Sequence, residues 1–136
     1  MKNLDIVRRG YEAFGRGDMD TLLSLFDEDI DWVTPGPLEL PTAGHRRGRQ
    51  EVAGFFKTLN DAFEVERFEP KEFIEQGDRV VALGEETVRV RNTGRSVEFV
   101  WAHVFEVRNG KIVSFHEYGD TAPVVAELRA AHAVAP

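Results

Sequence analysis

The chain has no cysteine among its 136 residues. That removes disulfides, thiolate nucleophiles and cysteine-ligated zinc or iron–sulfur centres together, and it fits a reducing cytoplasm. No apolar stretch approaches the roughly 20 residues that cross a bilayer, so no membrane partner is expected. No long basic run is present either. The largest cluster, His45-Arg46-Arg47-Gly48-Arg49, is short and reads as a solvated loop, and the formal net charge is -7. An acidic surface repels phosphate backbones, which excludes nucleic acid as the expected partner. Met1-Lys2-Asn3 leads straight into an amphipathic pattern, without the apolar core of a signal peptide. No internal repeat or low-complexity linker interrupts the chain, so residues 1–136 are expected to form a single domain. A domain of this size buries about two-thirds of its unfolded surface and stands without staples.

What is present is a change of period. Leu4, Val7, Tyr11 and Phe14 recur at helical spacing, and Gly15 and Gly17 end that helix. Asp18 or Asp20 can cap a short second helix carrying Leu22, Leu23 and Phe26. Ile30, Trp32 and Thr34 alternate as a strand, and the prolines and glycines of 35–44 make a loop. A third helix carries Val52, Phe55, Phe56, Leu59 and Phe63 on one stripe. Beyond Phe63 the period becomes two, with strands expected over 67–75, 79–91, 97–107 and 111–120. Pro70 lacks a backbone donor, which puts the first of these on an edge or at a bulge. Pro123 opens a short C-terminal helix. Helices first and an antiparallel meander afterwards make an α+β pattern, with helices packed on one side of a sheet.

The turns predict faces. Asn109-Gly110 suits a two-residue type I′ hairpin, which sets His103 opposite His116, Trp101 opposite Tyr118 and Phe99 opposite Asp120. A turn centred on Thr93-Gly94 sets Glu86 beside Trp101 and Val88 beside Phe99. Directly opposed residues share a face. One face is thus expected to carry Val80, Ala82, Glu86, Val88, Phe99, Trp101, His103, Phe105, Ser114, His116, Tyr118 and Asp120. Aromatic walls with a few ionisable groups are the composition of a ligand cavity. The other face carries Val81, Leu83, Val100, Ala102, Val104, Val113 and Phe115, rimmed by Glu85, Arg89, Glu98, Glu106 and Glu117. Such a smooth apolar centre on a sheet's back reads as a homodimer interface.

Four stretches, Tyr11-Glu12-Ala13-Phe14 with Gly17-Asp18, Gly48-Arg49-Gln50-Glu51-Val52, Asn109-Gly110-Lys111-Ile112-Val113 and Glu117-Tyr118-Gly119-Asp120, resemble the SnoaL-like branch of the nuclear-transport-factor-two-like superfamily. That group includes ketosteroid isomerases, limonene-epoxide hydrolases and polyketide cyclases. The resemblance implies a cystatin-like cone fold, in which a curved mixed or antiparallel sheet and N-terminal helices form a conical pocket, and dimerisation through the back of the sheet. It also implies that Asp120 matches the aspartate that serves the cyclases as acid/base and one aspartate of the epoxide hydrolase. His103 sits where ketosteroid isomerase has its protonated aspartic acid. The isomerase's proton-shuttling aspartate falls near Thr34 and its tyrosine near Gly10, one position from Tyr11. The epoxide hydrolase's arginine–aspartate pair falls near Gly84 and Glu86. These departures weigh against literal steroid isomerisation or epoxide hydrolysis.

From the residues themselves, Asp120 in an apolar cone would have its pKa raised by desolvation and become a usable acid or base. Its other reading is a cap for the C-terminal helix. Glu86, diagonal to His103 in the expected register, would hold one imidazole nitrogen and ready the other for proton transfer. Tyr118 could donate to a developing oxyanion. Trp32, Trp101, Phe99, His116, Tyr11 and Phe14 would hold the apolar skeleton of a ligand. Glu39, in the proline-rich loop, could reach the pocket mouth. His103, His116 and Glu86 could together hold a metal, but no helical metal motif supports this, and no metal or cofactor is expected. The expected function is cofactor-free acid/base chemistry on a small apolar substrate, of isomerase, cyclase or hydrolase type. The alternative is a non-catalytic ligand-binding or dimerisation module. An open cavity of several hundred cubic ångströms containing Asp120 would favour the first, and a collapsed one the second.

Overall fold

The computed structural model describes residues 2–134. Helix α1 (Asn3–Gly15) turns Ile6, Val7, Gly10 and Ala13 inward. It stops where Gly17 takes a positive φ of 71°, a conformation glycine adopts at no steric cost. Asp18 then caps α2 (Met19–Ser24), accepting from the Thr21 backbone N–H at 3.1 Å and the Thr21 hydroxyl at 2.7 Å. Strand β1 (Phe26–Thr34) buries Phe26, Ile30, Trp32 and Thr34. β2 (Gly44–Arg47) pairs with it, and α3 (Gly48–Ala62) follows. The chain continues through β3 (Phe63–Gln76), β4 (Arg79–Val90), β5 (Ser96–Arg108), β6 (Lys111–Gly119) and α4 (Ala122–Val134).

The six strands form one curved, unclosed sheet in the order β2-β1-β6-β5-β4-β3. All neighbours are antiparallel except β1 and β6. This is the α+β architecture expected. β3 lies at an edge, and its register shifts between Pro70 and Glu72, so Pro70 is both edge and bulge. The basic cluster expected as a free loop is instead edge strand β2 and the start of α3. Its side chains tie the structure down. Arg49 donates twice to the Phe26 carbonyl, at 2.6 and 2.8 Å, Arg46 lies over the Phe55 ring, and His45 bonds Asp31.

Two hairpins set the faces, and one differs from expectation. Between β4 and β5 the loop is Arg91–Gly94, closed by Val90 N–H on the Arg95 carbonyl at 2.8 Å. The register therefore slides by two, with Glu86 opposite Phe99 and Ala82 opposite His103. An even slide leaves every side chain on its expected face. Between β5 and β6 the tight turn forms as expected, with Asn109 at φ 52° and Gly110 at φ 75°. But Val107 pairs with Ile112 while Glu106 pairs with Ser114. Val113 is the extra residue of a bulge, and from there β6 is turned over. Phe115 and Glu117 point inward beside Phe105 and His103, while Ser114, His116 and Tyr118 join Glu106, Val104 and Ala102 on the outer face.

The core lies between the inner face and the helices, with Phe26, Ile30, Val52, Val80, Val107 and Ile112 almost fully enclosed. A second cluster, Leu40, Phe63, Val88, Val90, Val124 and Val125, packs α4 and the 35–43 loop over one end of the sheet. Glu39, expected near the pocket mouth, pairs there with Arg129 of α4.

Candidate functional site

His103, mid-way along β5, points inward and is 4% exposed. Its ring is held from three sides. The Trp101 indole stacks on it with centroids 3.7 Å apart and 6° between planes. Tyr11, from α1, places Oη 2.7 Å from Nδ1, and Glu117, from β6, places Oε2 2.8 Å from Nε2. A carboxylate only accepts, so Nε2–H donates to Glu117. Nδ1 is then the acceptor and the Tyr11 hydroxyl donates to it. The result is a directed chain, phenol to imidazole to carboxylate.

Burial sets the protonation states. It holds the His103 imidazolium pKa below its ordinary value, against the pull of Glu117. Burial first, then the Glu117 and Glu86 carboxylates, push the Tyr11 phenol upward. Glu86 on β4 rises to about 8, chiefly by desolvation and secondarily by Glu117. Glu86 has no hydrogen-bond partner among the described residues and faces the same cavity as the chain. That cavity measures about 120 Å³; Tyr11, Glu86, His103 and Glu117 are the ionisable groups of a lining otherwise dominated by rings such as Trp32, Phe55, Phe99 and Phe115. Such a site can hold an apolar body, fix an oxygen and move a proton near neutral pH.

The SnoaL-like domain matches residues 7–115. The chain belongs to the SnoaL-like family. An NTF2-like protein of unknown function from Burkholderia pseudomallei is 35% identical, with a TM-score of 0.85 over 93% of this chain and 97% of that one. An NTF2-like protein from Burkholderia xenovorans is 38% identical, with a TM-score of 0.83 over 91% and 93% of the two chains. TerC, solved after co-crystallisation with polyporic acid, is 27% identical, with a TM-score of 0.83 over 93% and 98%. No curated protein matches the chain.

In this SnoaL-like chain the structure gathers only part of the expected set. Glu86, His103, Trp32, Phe99, Tyr11 and Phe14 line the cavity. Trp101 is turned inward but lies behind His103, among Tyr11 and Phe68, and acts on the ring rather than on the cavity. The bulge at Val113 carries His116 and Tyr118 to the outer face, where their rings stack 4.2 Å apart. Asp120 is exposed beyond the strand and accepts from the Ala122 backbone N–H at 3.0 Å, at the start of α4. The expected partnership of Glu86 with His103 is also corrected: Glu86 opposes Phe99, and the carboxylate on the imidazole is Glu117, a residue assigned to the outer rim from sequence. A signal for Glu117 was present. Ile112 and Phe115 are both large and apolar at odd separation, and both can face the core only across a bulge. His103 and His116 lie on opposite faces, and no cluster of three metal-ligating side chains occurs among the described residues.

Two glycines make room for the inner rings. A Cβ on Gly84 would lie 2.6 Å from the Glu69 carbonyl oxygen and just as close to the edge of the Trp101 ring. One on Gly119 would lie 2.5 Å from Phe99 and 2.8 Å from the Val100 carbonyl oxygen.

Proposed function

We propose that this SnoaL-like chain binds a small apolar molecule bearing an enol or carbonyl oxygen and moves a proton between that oxygen and a carbon, without a cofactor. The observation that carries the reading is Glu86. Its carboxyl is unpartnered, poised near neutral pH, and faces an apolar cavity across which the Tyr11–His103–Glu117 chain is already assembled. In the ketonising direction the substrate hydroxyl gives its proton to Tyr11 Oη as the phenol proton passes to His103 Nδ1. The imidazolium so formed is held between the Glu117 carboxylate and the Trp101 face. Protonated Glu86 delivers a proton to carbon. Exchange of protons with solvent returns Glu86 and His103 to their starting states, and the reverse sequence enolises a ketone. TerC's co-crystallisation with polyporic acid supports small-molecule binding on this scaffold.

The test is deuterium incorporation at the α-carbon of small ketones in D2O, followed by NMR. Exchange above buffer that Glu86→Gln abolishes supports the proposal. No exchange with any ketone, or full exchange by Glu86→Gln, sinks it. A cavity of only about 120 Å³ favours a second reading, a binding module without turnover; ligand-induced change in Trp32 fluorescence without exchange would select it.

The outer face carries Val81, Leu83, Ala102 and Val104, with Val100 66%, Tyr118 52% and Ile74 50% exposed. We infer that two copies pair through it, since a monomer rarely leaves such a patch to water. A reducing cytoplasm is the compartment we propose, on the cysteine-free composition. No described helix is long and apolar enough to cross a membrane.

A further inference from the structure

The inner cavity does not end at a solid wall. Phe14 of α1, Phe56 and Leu59 of α3, and Phe63 at the start of β3 line it on one side and line a second, outer groove on their other side. That groove measures about 560 Å³ and has Met19, Leu23 and Ala53 among its walls. Phe14, Phe56 and Leu59 are each only partly buried, and the Phe14 and Phe56 rings stand 5.8 Å apart. The shared wall is therefore built of side chains from α1, α3 and the first residue of β3.

The sizes of the two spaces matter. A cavity of about 150 Å³ accepts a benzene-sized body, whereas sites for larger ligands run from about 300 Å³ upward. The inner cavity holds the ionisable groups but only the smaller kind of body. The outer groove has the room and lacks the chemistry. Its rim polar groups are already engaged within the protein: Lys57 with Asp61 at 3.0 Å, Arg91 with the Asn60 carbonyl at 2.7 Å, and Glu64 with Arg89. What the groove offers a ligand is mostly apolar surface, with Lys57, Asn60, Glu64 and Arg91 at its rim.

Resting on the reading of the inner cavity given above, we propose that the ligand is elongated. Its oxygen-bearing head sits against Tyr11 and Glu86, and an apolar tail passes between α1 and α3, past Phe14 and Phe56, to lie in the outer groove. The substrate class is then a long-tailed carbonyl or enol compound rather than a compact ring. Phe56 and Leu59 rotate to admit the tail, and the groove selects by tail length.

The experiment is a titration of the whole protein with linear 2-alkanones of increasing length, followed by Trp32 fluorescence and calorimetry. Affinity is expected to rise about three- to fourfold per added methylene, past the length that fills the inner cavity. Ala53→Phe, which adds bulk in the groove at a residue that does not line the inner cavity, is expected to cancel the gain for long ketones and leave short ones unchanged. Leu23→Phe repeats the test from α2, should Ala53→Phe fold poorly. If short ketones bind and affinity stops rising with length, or if long ketones gain but neither variant affects them, the extended-tail proposal is overturned and the inner site stands. If no ketone binds at all, the inner-site reading falls and takes this inference with it.

Discussion

The Glu117 carboxylate accepts the Nε2 proton of His103 at 2.8 Å, across a strand pair whose register is displaced by the Val113 bulge. This bond fixes the imidazole tautomer and so makes the Tyr11 hydroxyl, 2.7 Å from Nδ1, a donor to the ring. Glu117→Gln keeps the shape and removes the charge. The expected outcome is loss of proton-transfer activity by about a hundredfold or more. The imidazolium pKa should fall further, because burial then acts without the opposing carboxylate. NMR of the His103 ring nitrogens reads both tautomer and titration. A purely structural Glu117 would leave the tautomer unchanged.

Glu86 links the site to stability. Its folded pKa of about 8 lies above the ordinary carboxylate value of 4.5. Between those values the folded chain keeps a proton that the unfolded chain has lost, so this group's contribution to stability falls as pH rises through that window. Glu86→Gln is neutral throughout and escapes the loss. Denaturant unfolding at pH 5 and pH 8.5 should show the variant gaining on the parent at the higher pH, on the order of 2 to 4 kcal/mol after allowance for partial solvent contact. An equal difference at both pH values would place the Glu86 titration elsewhere.

Gly84 is a steric requirement for the stack behind His103. Gly84→Ala would press a methyl group into the Trp101 ring and the Glu69 carbonyl. A cost of about 1 to 3 kcal/mol is expected, with altered near-ultraviolet ellipticity from the displaced indole. Unfolding curves and circular dichroism check it.

Val100 is the most exposed apolar residue of the sheet's outer face. Val100→Glu should convert a dimer to a monomer in analytical ultracentrifugation and leave the inner site's ligand affinity unaltered. A monomeric parent protein would refute the interface.

Asp120 bonds the start of α4 and lies outside the cavity lining. Asp120→Asn should retain ligand affinity and exchange activity, with at most a small loss of helix stability. Inactivation by this change would return Asp120 to the chemistry.

The architecture was legible because its signals are local and redundant. Asn109-Gly110 can do little but turn tightly, and the Leu4-Val7-Tyr11-Phe14 spacing leaves one helical face. An even error in the Thr93-Gly94 loop did no harm, so Glu86, Phe99 and His103 were assigned to the correct face. The β6 residues were not, because alternation carries no memory across an inserted residue. Once Val113 is skipped, each later position of β6 exchanges inside for outside. Nor does the sequence announce β2, whose four residues are too short and too polar to read as a strand.

That single inserted valine has an evolutionary corollary. Drawing Val113 into the ladder, opposite Glu106, would rotate the end of the strand by half a turn, withdrawing Phe115 and Glu117 from the interior and presenting His116 and Tyr118 instead, whereas deleting it would straighten the strand and leave every facing as it is. A lineage built on this scaffold could thus exchange one inward set of side chains for another by gaining or losing a bulge, at constant chain length and with none of those residues replaced.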